Sequence, residues 1–539
     1  MNSEHREITE IIQEKRFTRR EVLAKASLVG VGLVAGPTVL ACGAAPTAPT
    51  DDSTGESSAP KKGGILRVGI VGGSASDRID IMQANSEPEI ALSFQLGDHL
   101  LAWGPDYALE YHLAEEVTPN EDATEWTVRL KPDVMFSDGR PVTADDVIFS
   151  YRRIVDPKNP MMGRDALGTL TPNGIVKLDD RTVKFVLETP NAILDEGFAY
   201  RSNFVYPADW NPKAPIGAGP FALKAFRPGE QFEFTRNEYY WGEGPYVDEL
   251  LILEFADEAA RVNALISETV DAISQLPPAQ ISTVTTAGKK VLDTKCGAYQ
   301  PFTMRIDQKP FDDVLVRKAF RLIPNREEMI QQAYSGFGWI GNDMYAPFDP
   351  GTPDLPQRDQ DLEQAKSLLK QAGYDGNLTV GLTTSHAVGS GAVAAAQIFA
   401  EHAKGAGVKV NVDMVDPSRM FGEDYLRWTF AQTFFYTRNY LANAAVCTIP
   451  GPPWAPCNET HWRNERWLKL VHEAYRTVDA VKRNELIGEA QTIEYEEGGY
   501  IIWAFNNQVD AYSEKLGGVK PHKAGMPLSS WGFNRFYFE

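Results

Sequence analysis

The chain has 539 residues, 43% of them apolar, and a formal net charge of −20. That charge repels phosphate backbones and anionic headgroups, which excludes a nucleic-acid partner and argues against peripheral membrane binding through protein contacts. The length allows two or three hydrophobic cores rather than one.

At the start, FTRREVLAKASLVGVGLVAGPTVLACG joins paired arginines to an apolar run and a cysteine. The run at 26–41 contains Gly30, Gly32, Gly36 and Pro37 and is too short for a stable span, which needs about 20 helical residues. Thr18, Arg19, Arg20, Glu21, Val22 and Leu23 resemble a twin-arginine export signal, and Val39, Leu40, Ala41 and Cys42 resemble a bacterial lipobox. On that reading residues 1–41 are a removable signal. Cys42 is then the lipidation site, and its acyl chains, each CH₂ contributing about 0.8 kcal/mol, anchor a soluble domain to the membrane. A cleaved signal with an incidental Cys42 is the alternative. Residues 1–41 hold 6 of the 53 basic and 5 of the 73 acidic residues, so the remainder carries −21. Residues 43–62 are rich in Pro, Ser and Thr and have no apolar side chain larger than alanine. They cannot build a core, and 42–62 is expected to be the lipidated cysteine and a flexible tether reaching roughly 60 Å. The folded body is expected from Gly63.

Along the body, GGILRVGI reads as a strand, and Trp126, Val128 and Leu130 in EWTVRLKP alternate with polar residues as a half-buried strand does. Thr143 with Asp146 forms a capping-box pattern ahead of Val147, Ile148, Tyr151 and Ile154, which predicts a helix. Val183, Phe185 and Leu187 mark the next strand. ELLILEF reads as a buried strand, followed by a helix opened by Asp257 and running through DEAARVNALISETVDAI. In the second half, PFDDVLVRKAFRLI, DLEQAKSLLKQAGY and the long NERWLKLVHEAYRTVDAVKRNELIGEAQTI have helical spacing, and LTVGLTT and VKVNVDMV read as strands. The alternation predicts an α/β fold with mixed or parallel sheets. No phosphate-binding GxxxxGK[ST] follows a strand, and the eight histidines show no metal spacing, so no cofactor and no metal are expected. Cys447 and Cys457 bracket a Pro-rich CTIPGPPWAPC. In an oxidising compartment they are expected to form a disulfide worth about 3 kcal/mol, with Cys296 left over; two reduced core cysteines are the competing reading.

Five segments in order resemble the family 5 extracytoplasmic solute-binding proteins, the peptide-binding receptors of bacterial ABC importers. They are GGILRVGI; WTVRLKPDVMFSDGRPVTADDVIFSYRRI; PIGAGPFAL with RNEYYWGEGPYVDEL; PFDDVLVRKAF with AKSLLKQAGY; and the late stretch up to LGGVKP. Phe136, Asp138, Gly139, Pro141, Gly217, Gly219, Asn237 and Trp241 read as scaffold rather than ligand contacts. Pro324 and Asn325 depart from the Ile and Asp usual before Arg326. The resemblance implies a two-lobed periplasmic-binding-protein-like fold of class II type, with hinge-linked lobes and an extra subdomain in the first. Expected limits are 63–303 for lobe 1, including the subdomain at about 100–205; 304–508 for lobe 2; and 509–539 returning to lobe 1. The implied partners are a peptide or other small-molecule ligand, an ABC permease and, through the lipid, the membrane, with the protein itself a monomer outside the cytoplasm. A sensor-linked receptor and a sugar ligand are the alternatives.

An enzyme is not expected. Neighbouring acids such as Asp145 with Asp146, or Glu496 with Glu497, point about 100° apart on a helix and cannot form a facing acid–base pair. For the ligand site, Tyr436, Arg438, Asn439 and Tyr440 resemble the family segment whose aspartate receives a peptide ammonium; here that position is Asn439. Asp77 is the candidate substitute carboxylate.

Overall fold

The structure is a computed structural model that describes residues 60–539 except 85, 423 and 450–456. Residues 1–59, with the signal, Cys42 and most of the tether, lie outside the described residues. Among the described residues no helix is long and apolar enough to cross a membrane.

Three sheets carry the fold. The first has seven strands in the order Lys290–Thr294, Gln508–Tyr512, Ala272–Ile273, Ile65–Val71, Glu249–Phe255, Gln231–Arg236 and Phe221–Arg227. Ile65–Val71 is its axis, parallel to Glu249–Phe255 on one side and to Ala272–Ile273 on the other. Leu66, Val68 and Ile70 have no exposed surface, which explains why this strand reads as an apolar alternation. A second sheet is antiparallel, in the order Ala114–Pro119, Glu125–Leu130, Thr182–Leu187 and Leu170–Lys177. Trp126 opposes Phe185 in its register, and Val147, Tyr151 and Ile154 of the helix Ala144–Ile154 are buried in the same core. Asp146 starts that helix by accepting from the Thr143 amide at 2.8 Å, and it also accepts from the Ala208 amide at 2.8 Å, so the cap fastens a distant loop. The third sheet runs Val408–Met414, Leu378–Thr384, Phe430–Gln432, Phe302–Met304 and Tyr500–Ile501, packed by helices Val314–Arg321, Arg326–Ala333, Leu362–Gln371 and Ala392–Gly405.

The chain crosses from the first sheet to the third between 294 and 302, and returns between 501 and 508. Two adjacent crossings joining two sheet-based bodies give the two-lobed α/β fold.

Several boundaries differ from the sequence expectation. The helix opened by Asp257, whose carboxylate accepts from the Ala260 amide at 2.6 Å, ends at Ile266, because Glu268 adopts φ 60° and turns the chain into the strand Ala272–Ile273. The long helical stretch breaks into Glu465–Arg476 and Ala480–Glu497, with Thr477 extended and Asp479 capping the second helix through the Lys482 amide. Asn325 takes over the capping role, accepting from the Glu328 amide at 3.1 Å, so the departure at Pro324 and Asn325 leaves the helix start intact. The expected disulfide is not formed: Cys296, Cys447 and Cys457 are all free. The Cys447 thiol turns back into its own helix and donates to the Asn443 carbonyl at 3.0 Å, while only the Cys457 amide reaches that helix, at the Val446 carbonyl, 3.0 Å.

The third-sheet body also buries a charge cluster. Arg326 meets Asp343 at 2.8 Å, with 3% and 0% of their side chains exposed, and Arg358 reaches the same oxygen at 3.2 Å. Arg326 further donates to the Arg358, Ile502 and Arg321 carbonyls. Arg326→Met removes all four of these hydrogen bonds and should lower the unfolding free energy in urea by roughly 3 kcal/mol or more, with an unchanged slope.

Candidate functional site

A cavity of about 550 Å³ opens among the first sheet's connections, the antiparallel subdomain and the start of helix Tyr440–Cys447. Its lining brings together Glu87, Tyr107, Glu196, Tyr200 and Arg201 on one side and Tyr436, Thr437, Arg438 and Asn439 on the other. The two sides touch. Tyr107 donates its hydroxyl to the Thr437 carbonyl at 3.0 Å, Asn439 donates through Nδ2 to Glu196 Oε1 at 2.9 Å, and the Arg201 guanidinium lies 5.4 Å from the Tyr436 ring centroid.

Of the five expected ligand residues, Tyr436, Arg438 and Asn439 line this cavity. Tyr440 does not. It has no exposed surface, donates to Glu494 at 2.9 Å and accepts from the Trp467 indole at 2.7 Å, so it holds the helix rather than a ligand. Asp77 is also absent from the lining. It accepts from the Ser74 amide at 2.7 Å and the Ser86 hydroxyl at 3.2 Å, organising the turn after the first strand. The carboxylate that does meet Asn439 is Glu196, on the short helix Leu194–Phe198. Nothing in the local sequence LDEGF distinguishes it from a solvated acid.

The electrostatics separate the lining groups. Burial, aided by the nearby charges of Asp195 and Asp349, pushes the Glu196 carboxyl up to about 8, although the Asn439 amide pulls it down. It is therefore mostly protonated near neutral pH. Asp98 behaves oppositely: burial alone would raise it, but the His112 charge, with hydrogen bonds from His112 at 2.7 Å and Trp241 at 2.8 Å, holds it below the usual carboxylate range. Burial pushes His99 down to about 4, leaving it uncharged, and its Nε2 has no partner.

One wall is made of strained backbone. Leu528, Ser529, Ser530 and Trp531 have φ of 50°, 61°, 59° and 59°, a left-handed turn that costs on the order of 1–2 kcal/mol per residue. Tertiary bonds hold it. The Leu528 amide donates to Asp510 at 2.6 Å, the Lys520 amide donates to the Ser529 hydroxyl at 3.0 Å, and Gln95 donates to the Trp531 carbonyl at 2.9 Å. PLSSW contains no glycine or asparagine, so the sequence carries no signal for this turn.

The raised Glu196 pKa has a stability consequence. An unfolded glutamate titrates near 4.5 and the folded one near 8, so folding is progressively penalised as pH rises through that window and fully penalised above it. Glu196→Gln cannot ionise. Its melting temperature relative to the parent should therefore rise between pH 5 and pH 9 in a calorimetric series; a constant difference across the window would contradict the assignment.

The sequence profile described as "Bacterial extracellular solute-binding proteins, family 5 Middle" matches residues 108–443. The chain is 24% identical over 470 residues to Di/tripeptide-binding protein 2 of Pseudomonas aeruginosa, covering 78% of this chain and 85% of that protein. It is 26% identical over 489 residues to the glutathione-binding protein GsiB of Pectobacterium atrosepticum, covering 83% and 90%. The solved structure of the ABC transporter substrate-binding protein CtaP from Listeria monocytogenes superposes with a TM-score of 0.77 at 22% identity, covering 89% of this chain and all of that one. The match spans more than half the chain and both lobes, and the chain belongs to the family 5 extracellular solute-binding proteins of bacterial ABC importers.

Proposed function

We propose that this protein is the lipid-anchored receptor of an ABC importer, which captures a small polar solute of peptide size by lobe closure and delivers it to the permease. The observation that carries this reading is the cavity itself, bridged by Tyr107 to Thr437 and by Asn439 to Glu196, contacts that exist only when its two sides are together. The lobes meet at the two crossings, 294–302 and 501–508, so the expected limits 303/304 and 508/509, which would cut the strands Phe302–Met304 and Gln508–Tyr512, shift to those crossings, with about 100–205 as the extra subdomain. A ligand stabilises the closed state by its differential affinity for it, so no covalent chemistry is required. Enzyme activity is not part of the proposal: its relatives are binding proteins. The relatives named for dipeptides, tripeptides and glutathione support a solute of that size class.

The test is calorimetry and small-angle scattering with whatever solute mass spectrometry finds on the purified protein, backed by a di- to pentapeptide and oligosaccharide library. Binding should shrink the radius of gyration, and a protein that binds no member and never compacts is not such a receptor. Tyr107→Phe removes one closed-state hydrogen bond worth about 1 kcal/mol and should weaken affinity about fivefold with the fold intact. For the anchor, Cys42→Ala should move the protein from the membrane fraction to the soluble one, and unmodified Cys42 in the membrane-bound protein would exclude lipidation there.

A further inference from the structure

Glu196 and Asn439 face each other across the cavity, the first on the short helix Leu194–Phe198 of the subdomain and the second capping helix Tyr440–Cys447 on the other side. Asn439 Nδ2 donates to Glu196 Oε1 at 2.9 Å. The other end of the same amide is idle: Asn439 Oδ1 is buried and accepts no hydrogen bond. A carboxylate only accepts, so it satisfies half of a carboxamide. A neutral carboxyl accepts through one oxygen and donates through the other, and so can satisfy both halves.

The groups around this pair disfavour a charge on Glu196. Asp195 on the same helix and Asp349 on the opposite side both add negative charge beside it, and Asp349 already takes the Tyr440 and Gly351 amides, each at 2.7 Å. Asp165, on the turn Arg164–Leu167 that packs against the helix, is raised by burial in spite of Arg164. Arg483 is the facing cation, and its guanidinium is committed to the Thr477 and Val478 carbonyls at 2.9 Å. Burial, with the Glu196 charge added, holds the Tyr107 and Tyr475 hydroxyls well above the tyrosine range, so both stay neutral. Arg438 and Arg201 spend their charge on Tyr200, which they hold below the ordinary tyrosine value against burial.

We infer that closing the lobes draws a proton onto Glu196, so that the solute is held tightly in mildly acidic medium and loosely in mildly alkaline medium. The inference rests on the receptor reading and adds a control to it. With the lobes apart, Glu196 faces water and titrates as an ordinary glutamate near 4.5; with them together it loses that water, meets the Asn439 amide and the Asp349 charge, and titrates at about 8. A group whose pKa rises on closure takes up a proton at any pH between its open and closed values. In that window affinity falls as pH rises, by up to about tenfold per pH unit, and it is flat below the open value and above the closed one. The proton comes from the medium and returns to it on opening.

The experiment is calorimetry at pH 5.5, 6.25 and 7.0 with Ala-Ala-Ala, whose terminal charges change little over that range, and with the solute that mass spectrometry finds on the purified protein. Titrations at pH 6.25 in cacodylate and in imidazole, which differ in ionisation enthalpy, count the protons taken up. Affinity should fall at least fivefold from pH 5.5 to pH 7.0, with close to one proton taken up per solute bound. Glu196→Gln can exchange the same two hydrogen bonds with Asn439 without a proton. It should bind at least fivefold more tightly than the parent at pH 7.0 and lose both the pH dependence and the proton uptake, while Glu363→Gln, an exposed control, should behave as the parent. If Glu196→Gln fails to fold, Asn439→Asp decides: two facing carboxyls must share a proton, so the pH dependence should steepen, and an unchanged profile would overturn the proposal. Affinity that is flat or rises with pH, binding without proton uptake, or a pH dependence that survives in folded Glu196→Gln and so belongs to another lining group such as His112, would each overturn it as well. A folded protein that carries no solute and binds no Ala-Ala-Ala at any pH fails at the receptor reading itself.

Discussion

The carboxylate of Asp510, with no exposed surface, holds together pieces of chain that are remote in sequence. It accepts from the Gln275 amide at 2.8 Å, the Leu528 amide at 2.6 Å and the Gln508 side chain at 2.7 Å. Burial pushes its pKa up to about 7 against those donors, so the site is costly to charge and its neighbours supply what water would have supplied. Asp510 lies on the strand that brings the chain back from the second lobe into the first sheet. The same group therefore fixes the returning strand, the segment after Ala272–Ile273 and the left-handed turn that walls the cavity. Backbone in an unfavourable region persists only where surrounding bonds over-determine it, and here they do.

A second buried carboxylate performs a comparable task on the opposite wall. Glu494 accepts from Tyr345 and Tyr440, both at 2.9 Å, and Tyr440 in turn accepts from Trp467. The Tyr440 amide donates to Asp349 at 2.7 Å. Helix Tyr440–Cys447 is thereby locked at its first residue, and the preceding residues, Tyr436 to Asn439, are presented to the cavity from a rigid base. The cavity's polarity follows from how each group is placed. Burial drives Glu196 toward its neutral form, whereas the Arg438 guanidinium, although burial opposes its charge, is held above the ordinary guanidinium value by Tyr200 and its other neighbours. An acidic protein thus offers a locally positive site.

The sequence by itself determined the elements whose signal is local. The alternation of Trp126, Val128 and Leu130 and of Val183, Phe185 and Leu187 fixes strands by period, the Thr143 and Asp146 box fixes a helix start, and the order of five segments identifies the family and with it the two-lobed fold. Of the residues it offered for a ligand site, Tyr436, Arg438 and Asn439 line the cavity. The tertiary structure alone decided what depends on partners distant in the chain. Tyr440 and Asp77 read as site residues and turned out to be fastenings, because Glu494, Trp467, Ser74 and Ser86 claim their polar atoms. Cys447 and Cys457 are both free, and the helix-end Cys447 thiol is satisfied one turn back by the Asn443 carbonyl. Glu196 and Tyr200 enter the site from a short helix and its turn, which only the packing of the subdomain against the second lobe brings to Arg438 and Asn439. The turn at Leu528–Trp531 lies furthest from the sequence's reach: its residues all prefer other conformations, and only bonds to Asp510, Lys520 and Gln95, up to 436 positions away, make that shape the stable one.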